Sequence, residues 1–274
     1  MKQLGAFRQK LHEYGPPIGL ILFLLLLWEG VVAWWEISAW VLPAPSGMLL
    51  AIWQTYPVLI PHILQTLKEM ALGLSLALFT GVALAAALDL SSWLRRAIYP
   101  LLIASQTIPI LALAPLLIIW FGFGIMPKVL VVTLFCFFPI AINTTDGLSA
   151  TDPELLSLLR AMGASRRQLW LKVRLPSSLP YFFSGLRIAA TYSVVGAIIG
   201  EWVGASQGLG IYMLRSANAF RTAQVFAAIV ISSLLSLSLF AAVYLIERAL
   251  LPWYHSTQRS DGWQESKGKN NTAL

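Results

Sequence analysis

Charged side chains are scarce in this chain of 274 residues: 11% are Asp, Glu, Lys or Arg, whereas 58% are hydrophobic. A soluble domain of this size carries about 25% charged residues. Such a small share leaves too little polar surface for water to solvate, which excludes an ordinary soluble domain. We therefore expect lipid to be the solvent for most of the surface.

Cysteine and histidine are also rare, with one cysteine and three histidines in the whole sequence. Cys136 has no second cysteine with which to form a disulfide, and its apolar neighbours indicate a small filler residue. No cluster of metal-ligating residues, nucleophile triad or aligned acid–base pair is present. We therefore expect no metal, no cofactor and no enzymatic activity of the chain itself.

The net charge of +7 has two possible meanings. In a soluble protein it suggests nucleic-acid binding, but here no nucleic-acid motif is present and the basic residues do not alternate with exposed aromatics. In a membrane protein, basic residues collect on the cytoplasmic side. We expect membrane lipid, and no nucleic acid, to be a partner.

Long apolar runs account for the missing charge. Backbone amides have no water partners inside a bilayer, so each crossing must be a helix of about 20 mostly apolar residues. No run shows the strand alternation of an outer-membrane barrel. We predict an all-α integral membrane protein with six transmembrane helices. The predicted spans are residues 18–35, 70–88, 98–120, 129–148, 182–199 and 225–246.

The remaining segments are short. Residues 1–17 are predicted to form a cytoplasmic tail, residues 18–255 the transmembrane domain, and residues 256–274 a disordered cytoplasmic tail. The first apolar run exceeds the ~7–15 residues of a signal-peptide core, which favours an uncleaved anchor over a cleaved signal. The proline-rich residues 42–61 are predicted to form an external loop, with a short helix over residues 45–55.

The basic residues predict the orientation. Most of them fall on the side that holds both tails and the second and fourth linkers. Those on the other side are Lys68, Lys128, Arg215 and Arg221. Because basic residues concentrate in the cytoplasm, we predict a multi-pass protein of the bacterial inner membrane with both termini inside.

The fourth linker, residues 151–180, carries the strongest local signals. Asp152-Pro153-Glu154 is typical of a helix start, and Gly163 stands where a helix ends in a left-handed residue. The helix between them has about ten residues and is too short to span the membrane. Its apolar face is either a docking surface or a lipid-interface helix, and the pattern leaves both open. A second short turn is predicted over residues 166–173, ending before Leu175-Pro176.

These linker residues resemble the EAA motif of ATP-binding-cassette importer permeases. Gly163 is followed, after nine residues, by Val173-Arg174-Leu175-Pro176, which fits the second half of that motif. The first half departs from it, because the motif glutamate falls at Ser157 and the neighbouring Glu154 is offset. The two motif alanines fall at Leu158 and Leu159.

Further runs resemble the nitrate, sulfonate and taurine importer subfamily, which also handles pyrimidine precursors of thiamine. Together they cover roughly residues 60–250. The similar runs are residues 109–116, 120–124, 137–140, 143–144, 185–187, 201–205 and 208–210. The run Glu201–Ala205 leans toward the pyrimidine-type members rather than the anion importers.

The resemblance implies a type I importer permease fold and a translocation path for a small polar solute. It also implies two ABC ATPase subunits, a second permease copy that we expect to be identical, and a periplasmic or lipid-anchored solute-binding protein. ATPase coupling is expected in the linker. The candidate coupling residues are Glu154, Leu155, Ser157, Leu158, Leu159, Met162, Gly163, Ala164, Leu175 and Pro176.

The absence of a phosphate-binding loop agrees with this expectation. The pair Gly268-Lys269 is followed by Asn270 and has no upstream glycine at the required spacing. ATP chemistry is therefore expected on another chain. The main alternative is an ion-coupled secondary transporter, which needs ionisable residues near the midplane and usually repeated halves.

Polar residues at depth are candidates for the path or its gate. These candidates are Gln106, Thr107, Asn143, Ser193 and Glu201. Each uncharged one can instead bridge neighbouring helices, which is worth about 0.6–2 kcal/mol.

Two further features concern helix shape and pairing. Prolines 100, 109 and 115 in the third span and Pro139 in the fourth are expected to favour kinks. Arg187 and Asp146 lie on the same side of the membrane, and we predict an ion pair between them.

Overall fold

The computed structural model describes residues 2–254, and side chains from residue 15 onward. This part of the chain is helical throughout and contains no strand, as predicted. The predicted disordered tail, residues 256–274, lies outside the described residues. The helices are α1 (Lys2–Trp34), α2 (Pro45–Leu90), α3 (Ser92–Ser105), α4 (Ile110–Phe121), α5 (Ile125–Ser149), α6 (Pro153–Ala161), α7 (Arg166–Leu169), α8 (Leu175–Trp202), α9 (Leu209–Asn218) and α10 (Thr222–Leu250).

Five segments of the described chain are long and apolar enough to cross a membrane as helices. They are Gly15–Trp34, Pro45–Leu90, Ile125–Ser149, Arg166–Trp202 and Thr222–Leu250. Helices α3 and α4 qualify only as a pair bent by 99°. Six spans result if that bent pair is one crossing.

The third predicted span, residues 98–120, is therefore broken rather than straight. The break lies between Ser105 and Ile110, where Pro109 has extended backbone and precedes α4. Proline has no backbone N–H and disfavours helix in the residue before it, so the helix stops there. Pro100 and Pro115 remain inside α3 and α4.

The short helix predicted over residues 45–55 is present, but the loop predicted around it is wrong from residue 56 onward, because α2 begins at Pro45 and continues without interruption to Leu90. Pro45 suits the first helical turn, where its missing N–H costs nothing. Pro57 and Pro61 lie within the helix, at a cost of ~3 kcal/mol each when isolated. Burial of Leu59 against α9 offsets part of that cost, since a fully buried leucine contributes about 1.5–3 kcal/mol.

Helices α5 and α8 form the most extensive contact in the described structure. Small residues line this contact: a Cβ atom at Gly147 would lie 2.6 Å from the Cβ of Tyr181. At Gly185 it would lie 2.5 Å from the carbonyl oxygen of Pro139. The Sγ of buried Cys136 contacts the carbonyl oxygen of Ala189 at 3.2 Å, in keeping with a filler role. Small side chains thus let the two backbones approach closely, as in other membrane helix pairs.

We predict that Gly185→Ala destabilises the protein by about 1–3 kcal/mol, because the new methyl group overpacks the α5–α8 contact. Thermal unfolding in detergent measures the effect. The matched control is Gly30→Ala on α1, where an added Cβ meets no atom within 4 Å. Equal stability of the two variants would show that the contact tolerates the methyl group.

Candidate functional site

The linker helix α6 begins and ends as the sequence predicts. An Asp152 carboxylate oxygen accepts the backbone N–H of Glu154 at 2.8 Å, and Pro153 occupies the first turn. Gly163 ends the helix with φ +89°. The N–H of Ala164 reaches the carbonyl of Leu159, and that of Gly163 reaches the carbonyl of Arg160, which is the Schellman arrangement. Both ends of α6 are therefore closed by local hydrogen bonds.

Helix α6 presents two different faces. Leu155, Leu158 and Met162, spaced at three and four residues, are exposed at 43%, 59% and 74%. Leu156 is buried on the opposite side. Ser157, at the position of the motif glutamate, is exposed and donates its hydroxyl back to the carbonyl of Pro153 at 2.9 Å. An exposed apolar face on a short capped helix is the feature of a docking surface.

The second half of the linker differs from the prediction. Helix α7 does begin at Arg166, after a capping box formed by Ser165 and Gln168. Helix α7 ends at Leu169, but the chain stays helical up to Leu175, because a π-helical turn (Trp170–Arg174) joins α7 to α8. Pro176 occupies the first turn of α8, where a missing N–H is tolerated, so it does not stop the chain. Leu175 and Pro176 are thus the first residues of a transmembrane helix.

Asp89, at the end of α2, ties the linker to the helix bundle. Its carboxylate oxygens lie 3.0 and 3.1 Å from Nη1 of Arg174 and accept the Nε1–H of Trp170 at 3.0 Å. Sequence reasoning missed this residue. The available signal was a single carboxylate at the end of a long apolar run, where a charge needs a partner.

A buried carboxylate cluster, Glu69, Lys128 and Glu201, lies at the opposite end of α8 from the linker. The two glutamates are fully buried. Nζ of Lys128 lies 3.4 Å from Oε1 of Glu69, and that oxygen also accepts the amide N–H of Gln65 at 2.7 Å. Three transmembrane helices, α2, α5 and α8, each contribute one charged residue to this cluster.

The cluster anchors the start of α9. Glu201 accepts the backbone N–H of Gly210 and, at 2.6 Å, the hydroxyl of Thr66. The Thr66 oxygen in turn accepts the N–H of Leu209 at 2.9 Å, and Nδ1 of His62 accepts that of Gly208 at 2.9 Å. The first N–H groups of a helix have no partner within it and attract negative charge. Glu201 therefore holds α9 in place rather than lining an open path.

Lys128 and Thr66 were also missed as site residues. Lys128 stands at the start of the fourth predicted span, and its charge served only to predict the orientation. Nothing in the local sequence shows which carboxylate it contacts. A lysine flanking an apolar run usually reaches the interface. Here the contact with Gly200 on α8 covers it.

The other predicted path residues are not brought together. Gln106 and Thr107 lie exposed in the break between α3 and α4. The amide of Asn143 donates to the carbonyl of Pro139 on its own helix at 2.8 Å. The hydroxyl of Ser193 donates to the carbonyl of Ala190 at 2.7 Å and is fully buried. Asn143 and Ser193 thus form hydrogen bonds to carbonyl oxygens of their own helices.

The predicted ion pair between Arg187 and Asp146 is wrong. Nη1 of Arg187 lies 3.3 Å from Oε2 of Glu247 on α10. Asp146 instead accepts the hydroxyl of Tyr99 at 2.6 Å. Consecutive residues of a helix are turned by about 100°. Since Gly147 faces α8, Asp146 points away from it.

A groove of about 850 Å³ lies between α8, α9 and α10. Trp202 and Phe240 contribute aromatic surface, and Thr191, Ser232 and Ser236 contribute hydroxyl groups. None of its lining residues is charged. Such a groove can accept a flat, largely apolar molecule and offers no cation to an anion.

Comparisons with known proteins agree with this architecture. A family model described as "Binding-protein-dependent transport system inner membrane component" matches residues 73–252. The chain is 43% identical over 226 residues to the formylaminopyrimidine transport permease protein ThiX of Halalkalibacterium halodurans, covering 80% of this chain and 90% of that protein. It is 37% identical over 241 residues to the riboflavin transport system permease protein RibX of Chloroflexus aurantiacus, covering 87% and 90%.

A relative with lower identity carries a name for sulfonate transport. The chain is 32% identical over 249 residues to the putative aliphatic sulfonates transport permease protein SsuC of Bacillus subtilis, covering 89% and 90%.

Among solved structures, an inward-facing form of the MetNI methionine ABC transporter matches with a TM-score of 0.63 at 21% identity. That match covers 72% of this chain and 97% of the other. It supports the type I importer permease fold.

We predict that Lys128→Met destabilises the protein by about 3–5 kcal/mol, because it leaves a buried carboxylate without its partner. The double variant Lys128→Met with Glu69→Gln should recover a large part of this loss. Thermal unfolding in detergent measures both.

The matched control is Lys68→Met, at an exposed position, which should change stability by no more than about 0.5 kcal/mol. A double variant as unstable as Lys128→Met alone would contradict the pairing, since neutralising Glu69 would then relieve nothing.

Proposed function

Because this chain belongs to the family of binding-protein-dependent transport system inner membrane components, and so is a permease subunit of an ATP-driven importer, we propose a specific division of labour for it. The chain works as one of two identical permease copies, with two ATPase subunits on the cytoplasmic side. A solute-binding protein delivers the solute on the other side.

The proposed orientation places both termini and α6 in the cytoplasm and α9 outside. It is supported by the basic residues around the linker, where Arg160, Arg166, Arg167 and Arg174 gather within a short stretch. The opposite side carries Lys68, Lys128, Arg215 and Arg221, which are spread along the chain.

Helix α6 is proposed to bind the ATPase subunit and to transmit its closure. The observation that carries this proposal is the exposed apolar face of Leu155, Leu158 and Met162 on a helix whose two ends are capped. Such a helix moves as a unit when a partner pushes it. Its displacement reaches α8 through α7 and the π-helical turn, and reaches α2 through the Asp89–Arg174 ion pair.

The external end of the path is proposed to be controlled by α9. This helix is held by hydrogen bonds to Glu201, Thr66 and His62 and by apolar packing against Leu59. A movement of α8 carries Glu201 with it, and α9 follows because the N–H of Gly210 donates to that carboxylate. Glu201 thereby positions α9, the proposed external gate.

The solute is proposed to be a heteroaromatic molecule of the pyrimidine type rather than a small anion. Two observations support this. The groove beside α9 combines Trp202 and Phe240 with hydroxyl groups and has no charged lining residue. The relatives that are 43% and 37% identical carry names for transport of formylaminopyrimidine and riboflavin, whereas the sulfonate relative is 32% identical.

We predict that proteoliposomes with the full complex take up a labelled aminopyrimidine only when ATP is present, and that excess taurine does not compete. The permease supplies no phosphate-binding loop, so ATP must act through the partner. Uptake that persists without ATP while an ion gradient is held would instead support a secondary transporter. Competition by taurine alone would overturn the solute class and leave the ATP dependence intact.

We predict that Gly163→Val lowers ATP-driven uptake roughly 5- to 30-fold while the ATPase remains active. A β-branched residue at φ +89° costs ~1–2 kcal/mol. No atom lies within 4 Å of the added Cβ, so the cost is conformational and not steric.

The matched control is Gly163→Asn, because asparagine tolerates the left-handed region. It should retain most of the uptake. Equal uptake by both variants, at equal membrane levels, would show that the end of α6 plays no part in coupling.

A further inference from the structure

A strongly basic cavity lies between the linker and the end of α2. Its volume is about 730 Å³, and four arginines line it: Arg160, Arg166, Arg167 and Arg174. Its one acidic lining residue is Asp89, so the cavity holds an excess of three positive charges. Nothing in the coupling role of α6 requires this concentration of charge. We call it the arginine pocket.

The arginine pocket has one carboxylate for its four arginines. Asp89 pairs with Arg174, yet the buried Nε of Arg174 has no hydrogen-bond partner within the described chain. In the part of the chain whose side chains are described, none of Arg160, Arg166 and Arg167 lies in an ion pair with a carboxylate. Like charges held this close repel one another, so a bound anion would stabilise the arrangement. The planar guanidinium matches phosphate oxygens in a two-pronged fashion.

The face of α6 that lines the pocket is not the one available to the ATPase. Leu156 and Arg160, four residues apart, line the pocket, whereas the exposed Leu155, Leu158 and Met162 do not. Residues four apart share a helix face. The pocket therefore lies on the side of α6 that is turned toward the transmembrane helices.

The pocket also lies where the apolar spans end. Leu90, the last residue of α2, lines it and is 80% exposed, and Trp170 forms another wall. Nearby Trp93, at the start of α3, is 75% exposed. Tryptophan concentrates at the level of the lipid headgroups, and basic pockets on the cytoplasmic side of membrane proteins bind anionic headgroups.

We propose that the arginine pocket binds the phosphate group of an anionic phospholipid from the cytoplasmic leaflet. This inference rests on the proposed orientation, although not on the solute or on ATP. The guanidinium groups hold the phosphate, while Leu90, Leu156 and Trp170 contact the apolar part of the lipid next to it. The bound lipid connects the linker to α2 beside the Asp89–Arg174 ion pair. It thereby fixes the distance between α6 and the membrane surface.

The test uses the full chain in nanodiscs of phosphatidylcholine into which phosphatidylglycerol is titrated, with bound lipid counted by native mass spectrometry. The wild type should retain phosphatidylglycerol. Arg166→Gln with Arg167→Gln should weaken retention roughly thirtyfold, given what each arginine near a membrane surface contributes. The matched control is Arg96→Gln with Arg248→Gln, which removes two charges at the same end of the bundle but outside the pocket and should retain the lipid.

Three results would overturn the proposal. Equal retention by the two double variants would show a general surface attraction. Displacement of the lipid by millimolar inorganic phosphate would identify a free-phosphate site. If the pocket variant keeps its lipid but loses the ATPase subunit during purification, the arginines bind an acidic surface of that partner. Lipid retention is measured without ATP or solute, so its failure leaves ATP-driven uptake standing, and the converse also holds.

Discussion

The close approach of α5 and α8 is the constraint on which the other arrangements depend. Glycines at positions 147 and 185 leave no side chain between the two backbones. These helices also flank the linker, so their contact sets the distance between its two ends. At the opposite end, the start of α5 supplies Lys128 and the end of α8 supplies Glu201. One helix pair therefore positions both candidate sites.

Charged residues are scarce in the described helices, and the buried ones, Glu69, Lys128, Glu201 and Glu247, each contact a polar or oppositely charged group. Ion pairs link α2 with α5, α2 with the end of the linker, and α8 with α10. Inside a membrane protein such groups are costly and need partners. Three of the four oxygens in the buried carboxylate cluster contact a lysine, an amide, a hydroxyl or a helix start, and Oε2 of Glu69 has no hydrogen-bond partner within the described chain. The arginine pocket differs from these buried ion pairs, because Arg160, Arg166 and Arg167 have no carboxylate partner in the part of the chain whose side chains are described, and a bound anion is the partner we propose for them.

Helix α6 has two different faces. One face exposes Leu155, Leu158 and Met162, and the other, with buried Leu156 and with Arg160, lines the arginine pocket. In the proposed mechanism the first face binds the ATPase subunit and the second is held from the membrane side. The continuity of α6 with α8, through α7 and the π-helical turn, would then convert a push on α6 into a displacement of a transmembrane helix.

The sequence by itself determined the all-helical membrane fold, the importer permease family and the position of the linker helix. Length, apolar composition and caps such as Asp152 and Gly163 act locally, so they can be read without a structure. The tertiary structure alone decided which charges meet. Arg187 pairs with Glu247 and not Asp146, and Asp89 meets Arg174, because helix rotation and packing select partners that are far apart in the chain. Packing also extended the short helix predicted at residues 45–55 through the rest of the predicted loop at residues 42–61, where burial of Leu59 against α9 offsets part of the cost of two prolines.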